Sequence, residues 1–192
     1  MSKVAGAGLI LLDRDGVLNE LVVDPEQGTI DSPLAPAQVR MVPRAAEAVA
    51  RLTKAGFATA IVTNQPAAAK QKTTKANLEA VHKAIVDEIE KAGGKIQSSH
   101  ICFHRAEDNC ACRKPRTGLL EEAFKQNPGY AKDTSWLIGD GLTDIQAGQS
   151  FGLKTIFIAA HKCDTCQKAL TENLRPTLWS NDLWSAADSI LR

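Results

Sequence analysis

The chain has 192 residues, 44% of them hydrophobic and 23% charged, with a formal net charge of +1. That length suits a single domain over residues 1–192 with a real core. The small charge gives no field for nucleic acid, and no apolar run approaches the roughly 20 residues that cross a bilayer, so neither nucleic acid nor membrane is expected as a partner.

In chain order, Gly8 to Leu12 is an apolar run that reads as a first strand. It leads straight into Asp13-Arg14-Asp15 without a small-residue cleavage pattern, which argues against a signal peptide and for a cytoplasmic protein. Leu21 to Val42 holds three prolines and no sustained period, and reads as a long loop on the substrate side. Pro43 to Lys54 is a helix with proline in its first turn and Gly56 past its end. Phe57 to Val62 is a second strand. Thr74 to Lys91 places Leu78, Val81, Ile85 and Ile89 on one helical face.

Ser99 to Phe103 reads as a third strand, and Gly118 to Lys125 as a short helix. Trp136 to Gly139 and Lys154 to Ala159 are further strands around a helix from Thr143 to Ser150. Two stretches of the tail, Thr165 to Glu172 and Asp182 to Leu191, look helical. The alternation predicts an α/β, Rossmann-like three-layer sandwich with a mostly parallel central sheet.

Two carboxylates, Asp13 and Asp15, directly follow a buried strand, which is costly unless their charge is compensated. A divalent cation with a taste for oxygen, such as Mg²⁺, is the natural compensation. Asp140 ends another apolar strand, Trp136-Leu137-Ile138-Gly139, and parallel strands would bring it to the same sheet edge. The second strand ends there in Thr63-Asn64-Gln65, whose hydroxyl and amides suit phosphate oxygens, and Lys114 adds a point charge.

A second constellation lies in residues 102–112. Cys102, His104, Cys110 and Cys112 supply three thiolates and an imidazole, a set suited to closed, structural, tetrahedral Zn²⁺. Its expected job is to order the loop that delivers Arg113 and Lys114. Cys163 and Cys166, with His161 nearby, lack an obvious fourth ligand and read as incidental thiols.

These motifs closely resemble the haloacid dehalogenase (HAD) superfamily of phosphohydrolases over nearly the whole chain. Asp13-Arg14-Asp15-Gly16-Val17 matches the nucleophile motif, Thr63 the second, Lys114 the third, and Gly139-Asp140 with Asp144 the fourth. The resemblance implies two-step phosphoryl transfer, with Asp13 as nucleophile and Asp15 as general acid and base. It implies Mg²⁺ on Asp13, Asp15 (through its backbone carbonyl) and Asp140. Thr63, Asn64, Gln65 and Lys114 would hold phosphate, and Asp144 would orient Lys114 or a metal water.

The Cys-x-His…Cys-x-Cys-Arg-Lys-Pro run is similar to one subgroup, the D-glycero-D-manno-heptose 1,7-bisphosphate 7-phosphatases and histidinol-phosphate phosphatases. That subgroup lacks a large cap domain. The likeness implies a small phosphorylated substrate, first of all a sugar bisphosphate, with Arg113 on its unreacted phosphate. A monomer is the default. Pro66-Ala67-Ala68 stands where the heptose enzymes usually carry Ser-Gly-Ile, a departure at the substrate side. His82 is expected to be partly exposed, His100 structural, and Trp136, Trp179 and Trp184 core packing.

Overall fold

The computed structural model describes residues 8–24, 28–159, 168 and 171–192. Its first half runs β1 (Leu9–Leu12), β2 (Val22–Asp24), β3 (Thr29–Asp31), α1 (Ala45–Lys54), β4 (Ala58–Asn64), α2 (Lys75–Lys91) and β5 (Ser98–Cys102). The second half runs α3 (Gly118–Gln126), β6 (Trp136–Gly139), α4 (Leu142–Phe151), β7 (Lys154–Ile158), β8 (Leu178–Ser180) and α5 (Leu183–Leu191).

Strand β1 is wholly buried because both of its faces are covered. Side chains alternate along a strand, so Ile10 and Leu12 enter one apolar layer and Leu9 and Leu11 the other. The first layer takes the buried faces of α1, α2 and α5, and the second those of α3 and α4. Each fully buried Leu or Ile contributes about 1.5–3 kcal/mol of transfer free energy. In α2 the predicted stripe of Leu78, Val81, Ile85 and Ile89 is the buried one, and the helix starts where the Thr74 hydroxyl accepts from Asn77 N at 3.1 Å.

Six parallel strands form the sheet in the order β5-β4-β1-β6-β7-β8. The chain builds outward from β1 to β4 and β5, then crosses over to lay β6 on the opposite side of β1. The C-terminal edge of β1, β4 and β6 is therefore a topological switch point, where open α/β sheets bind ligands. Asp13, Thr63 with Asn64, and Asp140 all stand on that edge.

Two regions depart from the sequence reading. The Leu21–Val42 stretch contains a two-stranded hairpin, β2 antiparallel to β3, and a 3₁₀ turn at Pro36–Gln38. It is tied to the segment after β4 by Lys72 on Asp31 at 2.5 Å and by the Thr73 hydroxyl donating to Leu34 O at 2.8 Å. Strands of three residues are too short to show a period, which is why they escape pattern reading. Among the described residues the hairpin and this 3₁₀ turn are the elements between β1 and α1, and no large cap is present.

The second departure is β8, an edge strand. Its Trp179, expected in the core, is 44% exposed and makes a T-shaped contact with Phe157, with ring centroids 5.1 Å apart. Trp184 packs under the Arg44 guanidinium at 3.4 Å, a cation–π contact between α5 and the start of α1. The expected helix at Thr165–Glu172 and the cysteines 163 and 166 lie outside the described residues, apart from 168, 171 and 172. No helix among the described residues is long and apolar enough to cross a membrane.

Candidate active site

Asp13 leaves β1 with its N–H donating to Ile138 O of β6 at 2.9 Å. Gly16 adopts φ +79°, and a Cβ there would sit 2.0 Å from Asp140 Oδ2. Only glycine lets the loop after β1 and the carboxylate after β6 approach so closely. Ligand oxygens of Asp13, Asp140 and Asp144 lie within 4.8 Å of one another. Hard oxygen donors at that spacing fit a small divalent cation.

Lys114 is the counter-charge. Its side chain is 2% exposed, and Nζ lies 2.9 Å from Asp13, 2.5 Å from Asp144 and 2.7 Å from Val62 O, to which it donates. Burial pushes its pKa down, but the two carboxylates outweigh burial and hold it above the usual lysine range. Burial likewise lifts Asp13 to about 6, opposed by Lys114 and reinforced by Asp144 and Asp15. Asp144 also accepts from Gly141 N at 3.0 Å, so its two oxygens serve Lys114 and the start of α4.

Asn64 and Gln65, expected to meet phosphate, spend their amides inside the protein. Asn64 clasps the Lys114 backbone, accepting from its N–H and donating to its C=O at 3.1 Å each. Gln65 is 1% exposed; it accepts from Arg14 Nη2 at 2.6 Å and donates to Asp15 Oδ2 at 2.5 Å and Thr63 Oγ1 at 3.0 Å. Arg14 itself has no exposed surface and chelates the Asp15 carboxylate through Nε and Nη2 at 3.1–3.2 Å. Asn19 Nδ2 donates to the same carboxylate at 2.9 Å.

Arg14 and Asn19 were given no role of their own in the sequence, and His82 was expected only to be partly exposed, which it is. Arg14 carried a usable signal, being a cation locked between two acids beside a buried strand. His82 adjoins Val81 and flanks the buried stripe of α2 without belonging to it. Burial first, and the Arg14 charge second, lower the His82 pKa to about 4, with Asp15 opposing, so the imidazole is uncharged at neutral pH.

Cys102, His104, Cys110 and Cys112 converge. The Sγ of Cys102 is 3.6 Å from that of Cys110 and 3.2 Å from that of Cys112, and His104 Nδ1 is 3.3 Å from Cys112 Sγ. All four donor atoms fit within 4.8 Å, so the cluster could hold a tetrahedral zinc ion. Arg113 follows directly and donates to His104 O at 3.1 Å. His100 sits in β5 on Ser98 Oγ at 3.0 Å, a structural contact.

A family profile described as "HAD-hyrolase-like" matches residues 111–186. A D-glycero-beta-D-manno-heptose-1,7-bisphosphate 7-phosphatase of Neisseria meningitidis is 36% identical, over 80% of this chain and 78% of its own. The chain belongs to the HAD-like phosphatases. A phosphatase of the same name from Pseudomonas aeruginosa is 33% identical across 96% of this chain and 98% of its own. Among solved structures, D,D-heptose 1,7-bisphosphate phosphatase from B. bronchiseptica, complexed with magnesium and phosphate, superposes with a TM-score of 0.81. It is 28% identical and covers 96% of this chain and 98% of that one. This HAD-like phosphatase is therefore an enzyme that hydrolyses phosphate esters, and the edge bearing Asp13, Lys114 and Asp140 is its candidate catalytic centre.

Proposed function

We propose that the enzyme removes the 7-phosphate of D-glycero-D-manno-heptose 1,7-bisphosphate, as a cytoplasmic monomer of one domain. The observation that carries the substrate is likeness to heptose bisphosphate phosphatases along almost the full length of both chains. Arg113, half-buried beside the centre, is offered as the contact to the unreacted 1-phosphate.

In the first step Asp13 attacks phosphorus, the bond to the sugar oxygen breaks, and Asp15 gives that oxygen a proton. In the second step a water attacks the aspartyl phosphate, Asp15 takes its proton, and phosphate leaves with Asp13 regenerated. Lys114 holds Asp13 and offers positive charge to the phosphoryl oxygens, and the Thr63 hydroxyl is the neighbouring donor. Asp13, the Asp15 backbone carbonyl and Asp140 would hold Mg²⁺, with Asp144 serving Lys114. When bound, Mg²⁺ offsets the repulsion between the carboxylate and the phosphate dianion.

The deciding experiment is phosphate release with Mg²⁺ from both anomers of the heptose bisphosphate, fructose 1,6-bisphosphate and histidinol phosphate. A preference of about a hundredfold in kcat/KM for one heptose anomer, roughly 2.7 kcal/mol, supports the assignment. Flat turnover across the panel removes heptose and leaves the chemistry.

The raised pKa of Asp13 gives a second test. The protonated acid is a poor ligand, so Mg²⁺ affinity should weaken as pH falls through about 6, by up to about tenfold per unit. Without metal, a carboxylate whose folded pKa exceeds its unfolded 3.8 adds stability at low pH that is lost as pH rises through about 6. Calorimetric Mg²⁺ titrations across that range measure the first effect. A pH-independent affinity would remove Asp13 from the ligand set.

The Cys₃His cluster is proposed to carry structural Zn²⁺. A chelator strong enough to strip it should lower stability by about 3 kcal/mol, the size of cross-linking a short loop. That corresponds to a Tm lower by roughly 6–12 °C. Turnover in saturating Mg²⁺ should fall with it, because the loop runs directly into Arg113 and Lys114. Differential scanning calorimetry with metal analysis checks the first, and re-addition of Zn²⁺ should restore both.

A further inference from the structure

Gln65 stands in the stretch where a substrate contact is expected, yet its side chain is almost fully enclosed and each end of its amide is taken. Its oxygen serves Arg14 and its nitrogen serves Asp15 and Thr63. Its backbone N–H is pinned to Cys102 O at 2.6 Å, at the end of β5. Neither the side-chain amide nor the backbone N–H is left to donate to a sugar or a phosphate.

We infer that Gln65 is a positioning residue for proton transfer, locking the Arg14–Asp15 ion pair so that the Asp15 carboxyl is held in one fixed orientation. The inference rests on the reading of Asp15 as general acid and base given above.

Four donors converge on Asp15: Arg14 Nε and Nη2, Asn19 Nδ2 and Gln65 Nε2. A carboxylate held this way cannot rotate without losing several charge-assisted hydrogen bonds at once. The same donors stabilise Asp15 as the carboxylate, which favours release of its proton to the leaving oxygen in the first step and opposes its uptake from water in the second. Arg14 is the strongest of them, and its guanidinium needs its own acceptor to stay in place. Gln65 Oε1 supplies one at 2.6 Å, so a single amide fixes both partners of the ion pair. His82, kept uncharged by its burial first and by the Arg14 charge second, adds no competing positive charge.

A positioning role and a substrate-contact role predict different kinetics. Gln65→Met keeps the volume and removes all three side-chain hydrogen bonds. It should lower kcat on the sugar phosphate by about 100-fold, at the low end of what general acid catalysis supplies, with KM within about threefold of wild type. An aryl phosphate such as 2,4-dinitrophenyl phosphate needs no proton on its leaving group. Its first-turnover burst of phenolate should therefore fall by less than about threefold. A variant that merely loosens the site would slow both substrates alike.

Asn19→Ala removes one donor of the same carboxylate and leaves Gln65 in place. It should show the same leaving-group dependence more weakly, and it carries the test if Gln65→Met proves unstable by thermal melting. A raised KM with kcat unchanged would overturn the inference and return Gln65 to the substrate. Equal loss on both leaving groups in both variants would also overturn it. A wild-type enzyme without phosphatase activity, or one unaffected by Asp13→Asn, would instead overturn the mechanism on which the inference rests.

Discussion

Asp13→Asn is expected to abolish turnover, by a factor on the order of 10⁴ to 10⁶ in kcat, because an amide cannot form the acyl-phosphate bond. The substitution is nearly isosteric, and the loop is set by contacts that remain. Asp13 N still donates to Ile138 O, and Gly16 still admits Asp140. Far-UV circular dichroism should therefore match wild type, so that the loss reads as chemistry. Acid-quench trapping of a phosphoryl-enzyme should succeed on wild type during turnover and fail on the variant. Full activity in Asp13→Asn would sink the two-step mechanism.

The second large effect is on stability as well as rate. Lys114→Met leaves two carboxylates, the half-buried Asp13 and the buried Asp144, without the cation that lies within 2.9 Å of both. Breaking a buried charge network by removing one partner costs about 3–5 kcal/mol, and denaturant unfolding without metal should register it.

The cost should depend on pH in a known direction. Burial already raises both carboxylates above their usual range while Lys114 opposes it. Without the lysine they are raised further, so the variant is most stable in acid, where both are protonated, and loses stability as pH rises through their folded pKa values. Mg²⁺ should recover part of the loss at neutral pH. It should not recover turnover, because the transferring phosphoryl group still lacks its lysine.

Much of this fold was legible because burial leaves a period in the sequence. The α2 stripe, the continuous apolar runs of β1 and β4 and the acids that end β1 and β6 all follow from hydrophobic patterning and the cost of burying charge. The Cys₃His set was legible too, since ligands spaced two apart and separated by a short connection can converge locally.

What stayed hidden needs long-range pairing or a choice among partners. The hairpin β2–β3 and the edge strand β8 are three residues each, held by neighbours rather than by a pattern of their own. Trp179 shows the consequence: a large aromatic reads as core until the sheet's edge exposes it. Asn64 and Gln65 are a subtler case. The sequence by itself determined that polar amides stand on the catalytic edge of the sheet, next to Asp13, Asp15 and Lys114 in chemistry. Only the tertiary structure decided which way they face, because an amide bonds equally well to a phosphate, a lysine backbone or an arginine–aspartate pair, and packing chose the last two.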